Sequence, residues 1–214
     1  MVILAFFFLL RPGEYTGTSS NTTPFAFKDT QLFIGRDRLT YASCSDADFS
    51  LSDFTTLEFT SQKNGVKGEV IGLGCTGEYF SPVRAVRRRV QHLLAHSAPP
   101  DTPLASYDRD GKWHRINPTQ ITTALRLAVA TFEPRDLGFN VTDVSARSLR
   151  ASGAMALLCA HVDTDIIRLV GRWRSDEMLR YLHVQAEPVM RHFASKMLSD
   201  GDFNLIPNSL VPMC

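Results

Sequence analysis

Apolar positions fall in blocks whose spacing changes along the chain. Val2 to Leu10 is apolar on all sides, as a helix buried in a core would be, and the run stops at Pro12-Gly13. From Phe25 to Phe59 the pattern shortens to Leu32-Phe33-Ile34 and to Thr55, Leu57 and Phe59 in alternation, which predicts strands. Leu57 to Leu73 is the clearest hairpin: Asn64-Gly65 is a type I′ turn signal between Glu58-Phe59-Thr60 and Glu69-Val70-Ile71. Helical spacing returns at Ser81 to Ala95, where Pro82 opens a helix with Val83, Val86, Val90, Leu93 and Leu94 on one side. Ser97 to Arg115, rich in Pro, Asp and Gly, predicts a loop with room for a short strand at Leu104 to Tyr107. Pro118 to Phe132 predicts a second amphipathic helix with Ile121, Leu125 and Ala128 or Val129 inward, followed by a loop over Glu133 to Asp143.

The last third predicts more helix. One begins near Ser145 and turns Leu149, Met155 and Leu158 to a core. The next, Asp163 to Val170, carries Ile166, Ile167, Leu169 and Val170 on an apolar side and ends at Gly171. Ser175 then caps a short helix with Asp176 and Glu177 in its first turn and Tyr181 inside it. Glu187 to Leu198 predicts another helix, and Gly201 to Cys214 a loose tail. No internal repeat or low-complexity tract interrupts this order.

Composition narrows the class. The 214 residues are 44% hydrophobic, as in a globular protein, and the net charge of +1 lacks the bulk basicity that marks many nucleic-acid binders. Contact with a polyanion therefore falls to local clusters. The densest is Arg84, Arg87, Arg88 and Arg89, whose plain reading is a solvated helix face and whose natural partner is a phosphate backbone. Cys44, Cys75, Cys159 and Cys214 are scattered and form no zinc spacing, so a reducing, intracellular setting is the expectation. Met1 to Leu10 is too short to span a bilayer, and it lacks the basic start and the cleavage site of a signal peptide.

Two groups of residues carry candidate chemistry. Arg147 and Arg150, three apart, share one face of a helix that starts near Ser145, and two planar guanidinium forks side by side suit a phosphate. Arg11 follows directly on an apolar run, where a charge needs a partner or a ligand, and Glu14 is the nearest candidate for an ordinary structural pair.

Taken together, Arg11-Pro12-Gly13-Glu14, the hairpin residue Lys63, Arg147-Ser148-Leu149-Arg150, Gly171-Arg172-Trp173 and Tyr181 resemble, in order and spacing, the active-site boxes of the tyrosine recombinases. This is the phage integrase family, which includes the recombinases of DIRS-type retroelements. The resemblance runs from about Phe6 to His183. It implies a mixed α/β catalytic core, mostly helical, with a small antiparallel sheet. Residues 1–198 would form that domain and 199–214 the tail. The family's N-terminal DNA-clamping domain has no counterpart here, so the expectation is a fragment or a truncated copy.

The implied function is site-specific DNA recombination or integration without metal or other cofactor. Tyr181 would attack the scissile phosphate, Arg11 and Arg150 would clamp its non-bridging oxygens, Lys63 would protonate the leaving oxygen, and Arg147, Arg172 and Trp173 would complete the pocket. Double-stranded DNA would be the partner, with the chain assembling as a homo-oligomer on it, in the nucleus if the source is eukaryotic, and with no membrane involved. Two positions depart from the family: Arg147 and Arg172 stand where most members have His. Arginine donates hydrogen bonds to phosphate but does not shuttle protons near neutrality. Two other readings follow. One is a catalytically inactive DNA-binding remnant of a mobile-element integrase. The other is an unrelated helical domain that binds a phosphorylated metabolite or an acidic partner.

Overall fold

The computed structural model describes residues 1–17, 24–60, 68–133, 138–175 and 178–179. The described chain is a mixed α/β fold with more helix than strand and a small antiparallel sheet. Helix α1 (Val2–Phe7) is followed by Leu9 in a left-handed conformation and by the one-turn helix α2 (Pro12–Tyr15). The apolar run thus ends before Arg11. Pro12 does not close that helix but opens the next, because its fixed φ and missing N–H suit a first turn.

Strands β1 (Thr30–Ile34) and β2 (Asp37–Arg38), helix α3 (Asp46–Leu51) and strands β3 (Phe54–Phe59) and β4 (Glu69–Gly74) follow. They form a four-stranded sheet ordered β2-β1-β3-β4, antiparallel throughout. The expected hairpin is β3 with β4, in register from Phe54 opposite Gly74 to Phe59 opposite Glu69. Its tip, with Asn64-Gly65 and Lys63, lies outside the described residues. Thr55, Leu57 and Phe59 alternate inward, as their spacing predicts.

Helix α4 (Pro82–Ala95) lies against this sheet and against α1, burying Val83, Val86, Val90 and Leu93. The predicted loop of Ser97 to Arg115 instead ends in a second two-stranded ribbon, β5 (Ser106–Arg109) with β6 (Lys112–Arg115). Asp110 and Gly111 both take positive φ at its turn, the demand of a type I′ connection. Helix α5 (Pro118–Val129) buries Ile121, whereas Ala128 is exposed.

Helix α6 (Ser148–Cys159) starts later than its spacing suggests, with Arg147 at the N-cap. It packs on α1 at close range: a Cβ on Gly153 would lie 2.2 Å from the Phe6 carbonyl oxygen. Helix α7 (Thr164–Gly171) buries Ile167 but leaves Ile166 and Leu169 about half or more exposed, so its apolar side is narrower than predicted. One core forms between α1, α4 and the sheet, and a smaller cluster of Leu9, Ala154, Ile167, Trp173 and Met178 fills the space beside α6 and α7. The expected helix of Glu187 to Leu198 and the tail lie outside the described residues, as does most of the short helix expected after Ser175.

Candidate functional site

The end of α1 is where three of the separate sequence segments meet: those of Arg11, Arg150 and Arg172. A helix leaves its last carbonyls without intrahelical donors, and their partial negative charge attracts cations. Here two guanidinium groups serve them. Arg150, buried on α6, donates from one terminal nitrogen to the Leu9 carbonyl at 2.6 Å and from the other to the Gly171 carbonyl. Arg172 donates to the carbonyls of Phe8 (3.2 Å), Leu9 (3.2 Å) and Val170 (2.9 Å). The same side chain reaches Glu14 Oε2 at 3.1 Å.

Glu14 is the shared carboxylate. It accepts from the Arg11 backbone N–H at 2.7 Å and from the Arg11 guanidinium at 3.0 Å, as well as from Arg172. The Arg11/Glu14 pair expected on structural grounds therefore exists, and a third partner joins it. Arg11 keeps 28% of its side-chain surface open while Arg172 keeps 2%, so Arg11 is the cation of this group that solvent or a ligand reaches. Tyr15, fully buried, donates its hydroxyl to the Ala146 carbonyl at 2.9 Å and so ties α2 to the segment leading into α6. Burial raises the Tyr15 phenol above its ordinary pKa and keeps it neutral.

Aromatic rings line both guanidinium planes. Arg150 lies 4.0 Å from the centre of the Trp173 ring, and Arg172 lies 3.8 Å from the centre of Phe59. Phe59 is the last residue of β3, and Lys63 follows four positions later, outside the described residues. Burial lowers the Arg172 pKa to about 10, opposed by the charge of Glu14 and reinforced by that of Arg11; the group remains a cation at neutral pH.

The stop of α7 sets this geometry. Arg172 N donates to Leu169 O and Trp173 N to Arg168 O, the paired bonds of a Schellman motif, with Arg172 itself in the left-handed conformation. Gly171 is needed for space rather than for its backbone freedom: a Cβ there would lie 1.6 Å from the Trp173 ring. A non-glycine residue held left-handed carries a cost on the order of 1 kcal/mol, which the four acceptors around its guanidinium offset.

The structure thus brings together Arg11, Arg150, Arg172 and Trp173, with Glu14 and the Leu9 carbonyl between them. It does not make Arg147 and Arg150 a side-by-side pair. Arg147 is exposed at the N-cap of α6, while Arg150, inside the helix, turns inward. Tyr181 and Lys63 lie outside the described residues.

The arginine run of α4 divides in two. Arg87 donates to the carbonyls of Phe49 and Ser50 at the end of α3, and Arg89 to those of Leu104 and Ser106, so both are structural ties. Arg84 and Arg88 flank the exposed Tyr79 ring at 5.9 and 5.8 Å. Among the described residues no group of three or more His, Cys, Asp or Glu is placed to hold a metal ion, and no helix is long and apolar enough to cross a membrane.

Sequence reasoning missed the Leu9 carbonyl and Phe59 as partners of the arginines. A backbone acceptor leaves no mark in residue type, and Phe59 reads simply as an inward strand position. No protein-family model matches the chain, and no curated protein matches it in sequence.

Proposed function

We propose that the chain is a DNA strand-cleaving and rejoining domain of the tyrosine-recombinase kind, with Tyr181 as nucleophile. The observation that supports this is the meeting of Arg11, Arg150 and Arg172, from segments up to 161 positions apart, around Glu14 and one carbonyl at the end of α1. Such a cluster of always-charged forks beside a solvent-open Arg11 suits a phosphodiester. In the proposed reaction the Tyr181 phenol oxygen bonds to phosphorus as the bond to the 5′ oxygen breaks. The phenol loses its proton, Lys63 gives one to the leaving oxygen, and the product is a 3′-phosphotyrosine with a free 5′-hydroxyl. In this reading Arg11 is the cation of the cluster that a phosphate would reach, while Arg150 and Arg172, their terminal nitrogens engaged by backbone carbonyls and Glu14, brace the cluster rather than clamp the phosphate oxygens.

A nicked duplex whose short 5′ fragment diffuses away tests this. A covalent protein–DNA adduct is expected at Tyr181, and Tyr181→Phe should abolish it. An adduct that survives Tyr181→Phe places the nucleophile elsewhere.

A second reading, an inactive DNA-binding remnant, is favoured by one feature. Arg172, standing where the family has a proton-transferring His, is committed to three carbonyls and Glu14. Duplex binding without any adduct would support that reading.

A further inference from the structure

The β5–β6 ribbon has two unlike faces. Directly opposed residues of an antiparallel pair point to the same side. Ser106 with Arg115 and Asp108 with Trp113 therefore share one face, and Tyr107 with His114 and Arg109 with Lys112 share the other. The first face touches the body at a few points, although Trp113 and Arg115 on it remain exposed. Arg89 binds the Ser106 carbonyl, the Trp113 ring meets His92 and His96 edge-on at 6.5 and 6.2 Å between centroids, and the Arg115 Cβ packs against Gly17. All four residues of β6 are exposed, Trp113 and Arg115 included; what distinguishes the second face is that it carries Arg109, Lys112 and His114, with the Tyr107 and His114 rings stacked at 5.5 Å.

That second face carries two fixed cations and two rings. Its nearby acids are Asp110 at the turn, 3.9 Å from Arg109 with both side chains largely in water, and Asp108 on the opposite face. A solvated pair of that length neutralises little. The base of the ribbon is tied to the segment that follows α2, because Gly17 N donates to Ile116 O at 2.9 Å, and Gly17 stands three positions along the chain from Glu14. Four strand residues at ~3.3 Å each carry the face about 13 Å along the ribbon.

We propose that this face is a second anchor for duplex DNA. Arg109 and Lys112 take backbone phosphates on the flank of the site, and Tyr107 and His114 rest against the sugar edge. A two-stranded ribbon is narrow enough to follow a groove, and spaced cations match spaced phosphates. The inference rests on the DNA reading above, and it assigns to the ribbon a role in holding the flank and none in the chemistry.

The test measures binding of the full chain to a fluorescent generic duplex across a salt series, alone and as Arg109→Ala/Lys112→Ala, with Arg109→Lys/Lys112→Arg as the charge-keeping control. Loss of two phosphate contacts should make the slope of log K against log salt shallower by ~1.8 and weaken binding about 60-fold at 0.1 M salt. The control should keep the wild-type slope. An unchanged slope in a chain that binds duplex overturns the ribbon anchor and leaves the DNA reading standing. A slope change seen with a single-stranded oligonucleotide and not with the duplex also overturns it, in favour of a single-strand contact. If the wild-type chain binds neither, the anchor and the DNA reading fail together.

Discussion

Replacing Glu14 tests the physical account of the site most directly. Its carboxylate makes three bonds, which differ in worth. The bond from Arg11 N caps the first turn of α2, typically ~1 kcal/mol. The Arg11 side-chain pair is over a quarter exposed and is discounted to less than about 1 kcal/mol. The Arg172 pair is almost wholly out of water, and removing one partner of such a pair costs ~3–5 kcal/mol, because the cation stays behind. Glu14→Ala should therefore cost roughly 4–6 kcal/mol, a large part of the ~5–15 kcal/mol that holds a typical domain together. Glu14→Gln keeps an acceptor for Arg11 N and deletes only the charge, so an intermediate loss of about 2–4 kcal/mol is expected. Urea unfolding of both variants, followed by far-ultraviolet circular dichroism, measures this. If Glu14→Gln is as stable as the wild type, Arg172 does not depend on this carboxylate and the argument for a braced cluster is wrong. If Glu14→Ala does not fold, the glutamine variant still decides.

Two further outcomes follow from the packing. Gly153→Ala drives a methyl to within 2.2 Å of the Phe6 carbonyl oxygen, a backbone atom that cannot step aside, so α1 and α6 must separate. A loss of about 1–3 kcal/mol is expected in the same unfolding assay, and a neutral result would show that the two helices are not seated this closely. His92 is held below its ordinary pKa of 6.5 by burial first, then by the charges of Arg89 and His96, with Asp108 opposing and the Trp113 ring beside it. Its neutral form is favoured in the folded state, so this contribution is complete above about pH 6.5 and declines as pH falls below that value. Unfolding midpoints between pH 7.5 and 5.5 should fall less in His92→Gln than in the wild type, and equal falls would remove His92 as a cause.

Much of the fold was legible because its periodicities are local. Val83, Val86, Val90 and Leu93 repeat at helical spacing, and Thr55, Leu57 and Phe59 alternate. Both sets are buried as those periods require. The β5–β6 ribbon was legible only as a short strand over Leu104 to Tyr107, which overlaps β5 at Ser106 and Tyr107, although Asp110-Gly111 is as good a type I′ signal as Asn64-Gly65. Its strands lack alternating apolar residues, since one face leans on the body through Trp113 and the other is polar, so composition read as loop. The exposed Ile166 and Leu169 of α7 mark the opposite error, where apolar type was taken for inward direction. In the site, Arg11 and Glu14 could be paired from their spacing. The link from Arg172 to Glu14 spans 158 positions and exists only once α1 and α7 are docked.

The guanidinium at position 172 has a structural role that residue type alone did not disclose. A neutral imidazole offers a single N–H donor and an imidazolium two, on a short stem. Neither can serve the carbonyls of Phe8, Leu9 and Val170 and also Glu14, as the guanidinium does. A histidine there would leave the end of α1 under-satisfied, at about 1–3 kcal/mol for each buried acceptor without a donor. Arg172 is thus part of what joins α1 to α7. Because its pKa of about 10 keeps it charged through the neutral range, it contributes a fixed charge to the cluster and no transferable proton. Under the proposed reaction the work of proton transfer then passes to Lys63 and to the Tyr181 phenol itself. In that reaction the arginine cluster would supply position and charge near the phosphate, the part of catalysis that needs no titrating group.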